Sequence, residues 1–119
     1  MTDALTVDPR ELIGRELVRI HEDSYGVGAT GVEVFIHDSY VVCVIQNELT
    51  TAETTLIDGG RGESVRNVRM AFQDAIDTTF RAVVERATGR TVDAFISHFH
   101  LEPMFTLEFF RLAPRAPAP

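Results

Sequence analysis

Between Thr30 and His37 the side chains alternate with a period of two. Val32, Val34 and Ile36 fall on one side of a predicted strand, and Glu33, Phe35 and His37 on the other. Asp38-Ser39 suits a two-residue turn, and Tyr40 to Gln46 reads as the returning strand. A tight turn brings Val41, Cys43 and Ile45 onto the Val32 side and collects Phe35, Tyr40, Val42 and Val44 on the opposite one. Both sides are then largely apolar, so both need cover.

Helical spacing takes over on either side of this hairpin. Asp8-Pro9-Arg10-Glu11 places an N-cap, a proline in the first turn and a glutamate at the third helical position. Leu12, Ile13, Leu17 and Ile20 follow at helical intervals, which predicts a helix to about Tyr25, ended by Gly26. Gly14 lies inside it, where a glycine permits close packing at a cost of roughly 1 kcal/mol relative to alanine. Leu49-Thr50-x-x-Glu53 carries a capping box that opens a short helix through Leu56 and Ile57. Val65, Val68, Phe72, Ile76, Phe80, Val83 and Ala87 then form a stripe, predicting one long helix from about Glu63 to Thr88 with Gly89 as its C-cap. Phe72, Ile76 and Phe80 are expected to pack on the Val32/Val34/Ile36 side. Such a helix is roughly 40 Å long, against about 27 Å for an eight-residue strand, so it overhangs the sheet. Thr91–His98 and Met104–Leu112 read as a second strand pair, with Pro103 tolerated at a strand start.

The expected fold is therefore α+β, in the order α-β-β-α-α-β-β. Two hairpins form a four-stranded antiparallel sheet packed on one long helix, with an N-terminal helix. A single domain spans residues 8–112, with disordered ends at 1–7 and 113–119.

Charge narrows the partners. The chain has 119 residues and a net charge of −7, and all 11 of its basic residues are arginine. These arginines are scattered among acidic neighbours, so nucleic acid and anionic membrane surfaces are not expected partners. No apolar run is long enough to span a bilayer, and the N-terminus lacks a secretory signal, so a soluble cytoplasmic protein is expected. The single cysteine, Cys43, forms no internal disulfide and reads as a small buried hydrophobe.

Few residues suggest chemistry. His98-x-His100 sets two imidazoles on the same side of a strand, where Glu102 and His37 could add ligands if the hairpins lie side by side. With only two ligands fixed by spacing, no metal and no cofactor are expected. Arg66 and Arg69 on the long helix are candidates for an anion. Gly26-Val27-Gly28 offers a glycine-rich connection, but it follows a helix and opens a strand, the reverse of a phosphate loop. No nucleophile motif is present.

Several landmarks occur together: the Gly26–Gly31 connection, the turn at Asp38, Leu49-Thr50-x-x-Glu53-x-x-Leu56, Arg69, and Thr88-Gly89-Arg90-x-Val92 before Phe95-Ile96-Ser97. In this order they resemble the MpsC-like family, formerly a domain of unknown function, over about Pro9 to Leu112. The family is associated by name with cation-translocating, membrane-potential-generating systems, which are also linked to inorganic-carbon uptake. The resemblance marks Leu49, Thr50, Glu53, Gly89 and Arg90 as motif residues and carries over no catalytic residue. Gly26-Val27-Gly28-Ala29 departs from the family's more usual Gly-Arg-Gly-Pro. His98 and His100 stand where the turn after the third strand is often acidic.

The resemblance implies a non-enzymatic accessory or regulatory protein, with a membrane transport complex as partner. The alternatives are a small-ligand or anion sensor and an enzyme using His98 and His100. The apolar side of the first hairpin, facing away from the long helix, predicts a homodimer.

Overall fold

The computed structural model describes residues 7–114. It contains α1 (Pro9–Tyr25), β1 (Ala29–His37), β2 (Tyr40–Asn47), α2 (Thr51–Asp58), α3 (Gly62–Ala75), α4 (Asp77–Thr88), β3 (Val92–His100) and β4 (Phe105–Leu112). The strands form one antiparallel sheet in the order β1-β2-β4-β3. This is the α+β fold expected, in the expected order. Most of the two terminal segments read as disordered, 1–7 and 113–119, lies outside the described residues.

The caps are those the local sequence dictates. Asp8 accepts from the Arg10 amide, and Gly26 ends α1 in the left-handed region at φ 77°. Thr50 and Glu53 form both bonds of a capping box on α2. Gly89 closes α4 at φ 71°. A glycine at these two C-caps avoids the Cβ clash any other residue would meet there.

The stretch expected as a single long helix is two helices, divided at Ile76, whose backbone sits at φ −107°, ψ 17°. The break lets α3 run against β3 while α4 lies between α1 and β3, which removes the overhang of a straight rod. It also rotates the buried stripe. On α3 the buried residues are Val65, Arg69 and Gln73, while Val68 is 62% exposed. The expected Val65–Val68–Phe72 stripe is corrected accordingly: Arg69 turns inward and displaces Val68 to solvent.

The core joins Ile13, Leu17 and Ile20 of α1 and Phe80, Val83 and Val84 of α4 to Val41, Cys43, Ile45, Val92, Phe110 and Leu112 of the sheet. Phe72 and Ile76 reach it as partly buried neighbours. The cover over β1 is α1, not the long helix. Gly14 makes that approach possible, since a Cβ there would stand 3.2 Å from Val32 Cγ1. Thus α1, α3 and α4 occupy the same side of the sheet, and α2 packs on α3.

Candidate functional site

The motif around Thr50 forms a buried polar lock. The Thr50 amide donates to Glu53 Oε1 at 2.9 Å, and the Glu53 amide donates to Thr50 Oγ1 at 3.1 Å. Arg69 then donates to both Glu53 oxygens, at 2.6 Å each, and to the Glu48 carbonyl at 3.1 Å. Its guanidinium lies 3.8 Å from the Tyr25 ring centroid and 5.4 Å from that of Phe99. Burial alone would raise the Glu53 carboxyl, but the Arg69 and Thr50 hydrogen bonds outweigh it and hold the group below its ordinary value. Arg69 is 2% exposed, whereas Arg66 pairs at the surface with Glu63, so the two arginines do not converge on one anion. Leu49, half-buried, lines a shallow cleft with Ile57, Leu101 and Met104.

Gly89 and Arg90 act at the other end of the molecule. Arg90 donates to the Asp38 carbonyl at 2.8 Å and to the Ala113 carbonyl at 2.9 Å. One side chain thereby ties the β1–β2 turn to the end of β4. The glycine connection is similarly occupied: the Gly26 amide donates to the Glu22 carbonyl, and the Gly28 carbonyl accepts from the Glu48 amide.

His98 and His100 share a face, with ring centroids 6.1 Å apart. His100 Nδ1 lies 2.6 Å from the Pro103 carbonyl oxygen, and its ring stacks on Phe105. His37 pairs with Tyr40 at the far end of β1, on the opposite sheet edge from β3, so the strand order keeps it from the pair. Among the described residues no three His, Cys, Asp or Glu side chains gather as a metal site.

Strand β4 divides its residues between the two sides of the sheet. Thr106, Glu108, Phe110 and Leu112 face the helices and are buried. Phe105, Leu107 and Phe109 point the other way and are only half-buried. Glu108 sits between Cys43 on β2 and Ser97 on β3, fully buried, with neither carboxylate oxygen in an ordinary hydrogen bond. Burial pushes its carboxyl up to about 8, against a small opposing effect of the Ser97 hydroxyl. Burial, helped by Glu108, likewise pushes the Cys43 thiol well above its ordinary value, so it stays a neutral thiol. Other polar atoms on the helix side also lack partners: His21 Nε2, the Tyr25 hydroxyl and both amide atoms of Gln73. His21 donates through Nδ1 to the Leu17 carbonyl at 2.7 Å, and burial lowers its pKa, keeping the ring neutral.

The helix-free side of the sheet presents three complete side-chain rows, with His100 and Phe105 paired beyond them. The central row is Phe35–Val42–Phe109–Ile96, one residue from each strand. Its outer members are the most open, Phe35 at 53% and Ile96 at 61%. One flanking row is Glu33–Val44–Leu107–His98, and the other is His37–Tyr40–Arg111–Ala94. Tyr40 stacks on Phe109, and Arg111 forms a double bond-pair with Asp93. The hairpin half of this surface is legible from alternation alone. Phe105, Leu107, Phe109 and Ile96 are not, although the run Phe105-Thr106-Leu107-Glu108-Phe109 hints that this strand has two sides of unequal polarity.

Comparisons with curated proteins and with solved structures found no match. The family model described as the Na+-translocating membrane potential-generating system (MpsC) matches residues 10–113. That match takes in every helix and strand except the first residue of α1, and the chain belongs to the MpsC family.

Proposed function

We propose that this protein is a non-enzymatic accessory or regulatory component of a cation-translocating or inorganic-carbon-uptake membrane system, working from the cytoplasm through protein contacts on the helix-free sheet face. The observation that carries this reading is the orientation of β4. Its Phe105-x-Leu107-x-Phe109 side points away from the helices, while Thr106, Glu108, Phe110 and Leu112 point into them. Register in a half-covered sheet follows the apolar side of each strand. A strand that leaves three large apolar side chains on its outer side is best explained by a partner that covers them. The family description supports the membrane-system context. No helix among the described residues is long and apolar enough to cross a membrane, which suits an accessory role. An anion sensor built on Arg69 has less support, because Glu53 and Glu48 already hold that guanidinium.

Complementation tests the reading. Cells lacking the gene are given the wild-type protein or Val42→Asp, and membrane potential and sodium efflux are followed with dyes. Val42→Asp should accumulate and fold normally yet behave like the deletion. Full rescue by a folded Val42→Asp protein would remove the face from the function.

A further inference from the structure

We propose that the helix-free face is covered by a second copy of this chain, related by a two-fold axis running along the strands, so that β1 of one copy lies over β3 of the other. This deepens the contact-face reading and rests on it. The argument comes from the arrangement of charge and bulk across the face.

Strand order β1-β2-β4-β3 means that such an axis exchanges the two sheet edges and preserves position along the strands. The cross-strand rows then meet themselves in reverse. Glu33, exposed at the β1 edge, comes over the partner's His98, and His98 over the partner's Glu33. Val44 meets the partner's Leu107. In the central row Phe35 meets the partner's Ile96, and Val42 meets the partner's Phe109. In the third row Tyr40 meets the partner's Arg111, a ring beneath a guanidinium, which is a favourable pairing. In the central row and the Glu33–His98 row each apolar residue meets an apolar one, and the acidic group meets an imidazole.

The competing two-fold runs across the strands and stacks β1 on β1. It sets Arg111 over the partner's Leu107 and His98 over the partner's Ala94, two oppositions of polar to apolar groups, where the strand-parallel axis makes one, His37 over the partner's Ala94. The strand-parallel axis is therefore the more self-complementary of the two. Such an interface has the same patch on both copies, as closed two-fold dimers require.

The area is sufficient. Four strands at about 4.8 Å spacing and eight residues at about 3.3 Å rise make a face of roughly 500 Å². Two copies bury about 1,000 Å², the lower bound for a specific interface. Stacked sheets lie about 10 Å apart, a gap that Phe, Leu, Ile and Tyr side chains fill from both sides.

Light scattering and directed cross-links test the arrangement on the full chain. The wild type should scatter at twice its 13.3 kDa chain mass at micromolar concentration, and Val42→Asp should halve that mass. For register, Phe35→Cys/Ile96→Cys is treated with a homobifunctional thiol cross-linker spanning about 5 Å, since backbones about 10 Å apart hold facing sulfurs too far apart for a direct bond, and run on a denaturing gel. Within one chain these positions are three strands apart, about 14 Å, too far to bridge. The double variant should therefore trap the dimer almost completely, while each single variant traps little. Trapping by Phe35→Cys alone would point to the axis across the strands and overturn the proposed register. A second pair gives the same information without cross-linking. Glu33→Arg and His98→Glu should each weaken the dimer about tenfold, and together restore it. Failure of the double variant to restore would also overturn the register. A monomeric mass for the wild type at 100 µM overturns the dimer. If Val42→Asp still fails to complement in that case, the contact-face reading stands with a different partner.

Discussion

The two sides of one sheet differ in a way that their own residues do not foretell. The helix side is closed: Val41, Cys43, Ile45, Phe110 and Leu112 are packed under α1 and α4. Yet it also contains Glu108, Ser97, Gln73, His21 and Tyr25, each with at least one side-chain polar atom that lacks a hydrogen-bond partner. The helix-free side holds Phe35, Val42, Phe109 and Ile96 in one continuous row, with its ends in water. The inner side of β4 mixes Thr106 and Glu108 with Phe110 and Leu112, and its outer side carries Phe105, Leu107 and Phe109 beside Arg111. Turning the strand over would bury Arg111 and expose Phe110 and Leu112, so the buried polar atoms, at roughly 1–3 kcal/mol for each without a partner, come with the burial of those two residues. The difference shows that β4 is oriented by the elements beside it, with Phe110 and Leu112 joining the core under α1 and α4.

The largest expected effect tests the closed side. Glu108 has an ordinary carboxyl value of 4.5 and is raised to about 8 in the folded chain. The folded state therefore keeps a proton that the unfolded state releases. Stability from this group is greatest below the ordinary value, falls as pH rises toward 8, and then levels off. The full span amounts to about 5 kcal/mol. Urea titrations from pH 5 to 8.5 should show wild type losing stability relative to Glu108→Gln across that range. A constant gap between the two would mean that the carboxyl is not buried. Taking the difference between the proteins removes the opposing contributions of Glu53 and His21. Both groups have lowered values, and each loses its stabilising effect as the solution is acidified through the range between its ordinary and its folded value.

A second measurement compares matched truncations on the two sides. Phe80 is fully buried, against His21 and Phe95, and Phe80→Ala should cost about 3–5 kcal/mol. The polar lock should behave alike: Arg69→Met leaves Glu53 buried without its cation, a loss of about 3–5 kcal/mol. Glu53→Gln with Arg69→Met should recover part of it, since the orphaned charge is gone.

The smallest effect lies on the open side. Ile96→Ala, at an exposed position, should change unfolding free energy by no more than about 0.5 kcal/mol in dilute protein. The same substitution should lower stability more as concentration rises, because the loss then includes association. Equal losses for Phe80→Ala and Ile96→Ala at low concentration would erase the contrast between the two sides.

Local chemistry made part of this structure legible. The Asp8-Pro9 start, the Thr50–Glu53 box and the Gly26 and Gly89 ends depend only on neighbours within a few residues, and all four form as the sequence dictates. The alternation of β1 and β2 likewise sorts Val32, Val34 and Ile36 to the core side with Val41, Cys43 and Ile45. Periodicity failed where it could not see a neighbour. The apolar stripe runs unbroken through Ile76, so the division into α3 and α4 leaves no mark in it. Arg69 and Glu53 are 16 residues apart, and only the folded chain shows that one neutralises the other.

The amino-acid sequence by itself determined the elements, their order and their caps, because helix ends and tight turns are satisfied by adjacent backbone and side-chain groups. Only the tertiary structure decided which side of β4 is inside, where Arg69 points, and that His37 stands apart from His98 and His100. Those outcomes depend on the strand order and on α1, α3 and α4 sharing one side of the sheet. The physical reason is range. A cap is a bond across three or four residues, whereas the orientation of a strand is set by the summed burial of everything packed against it.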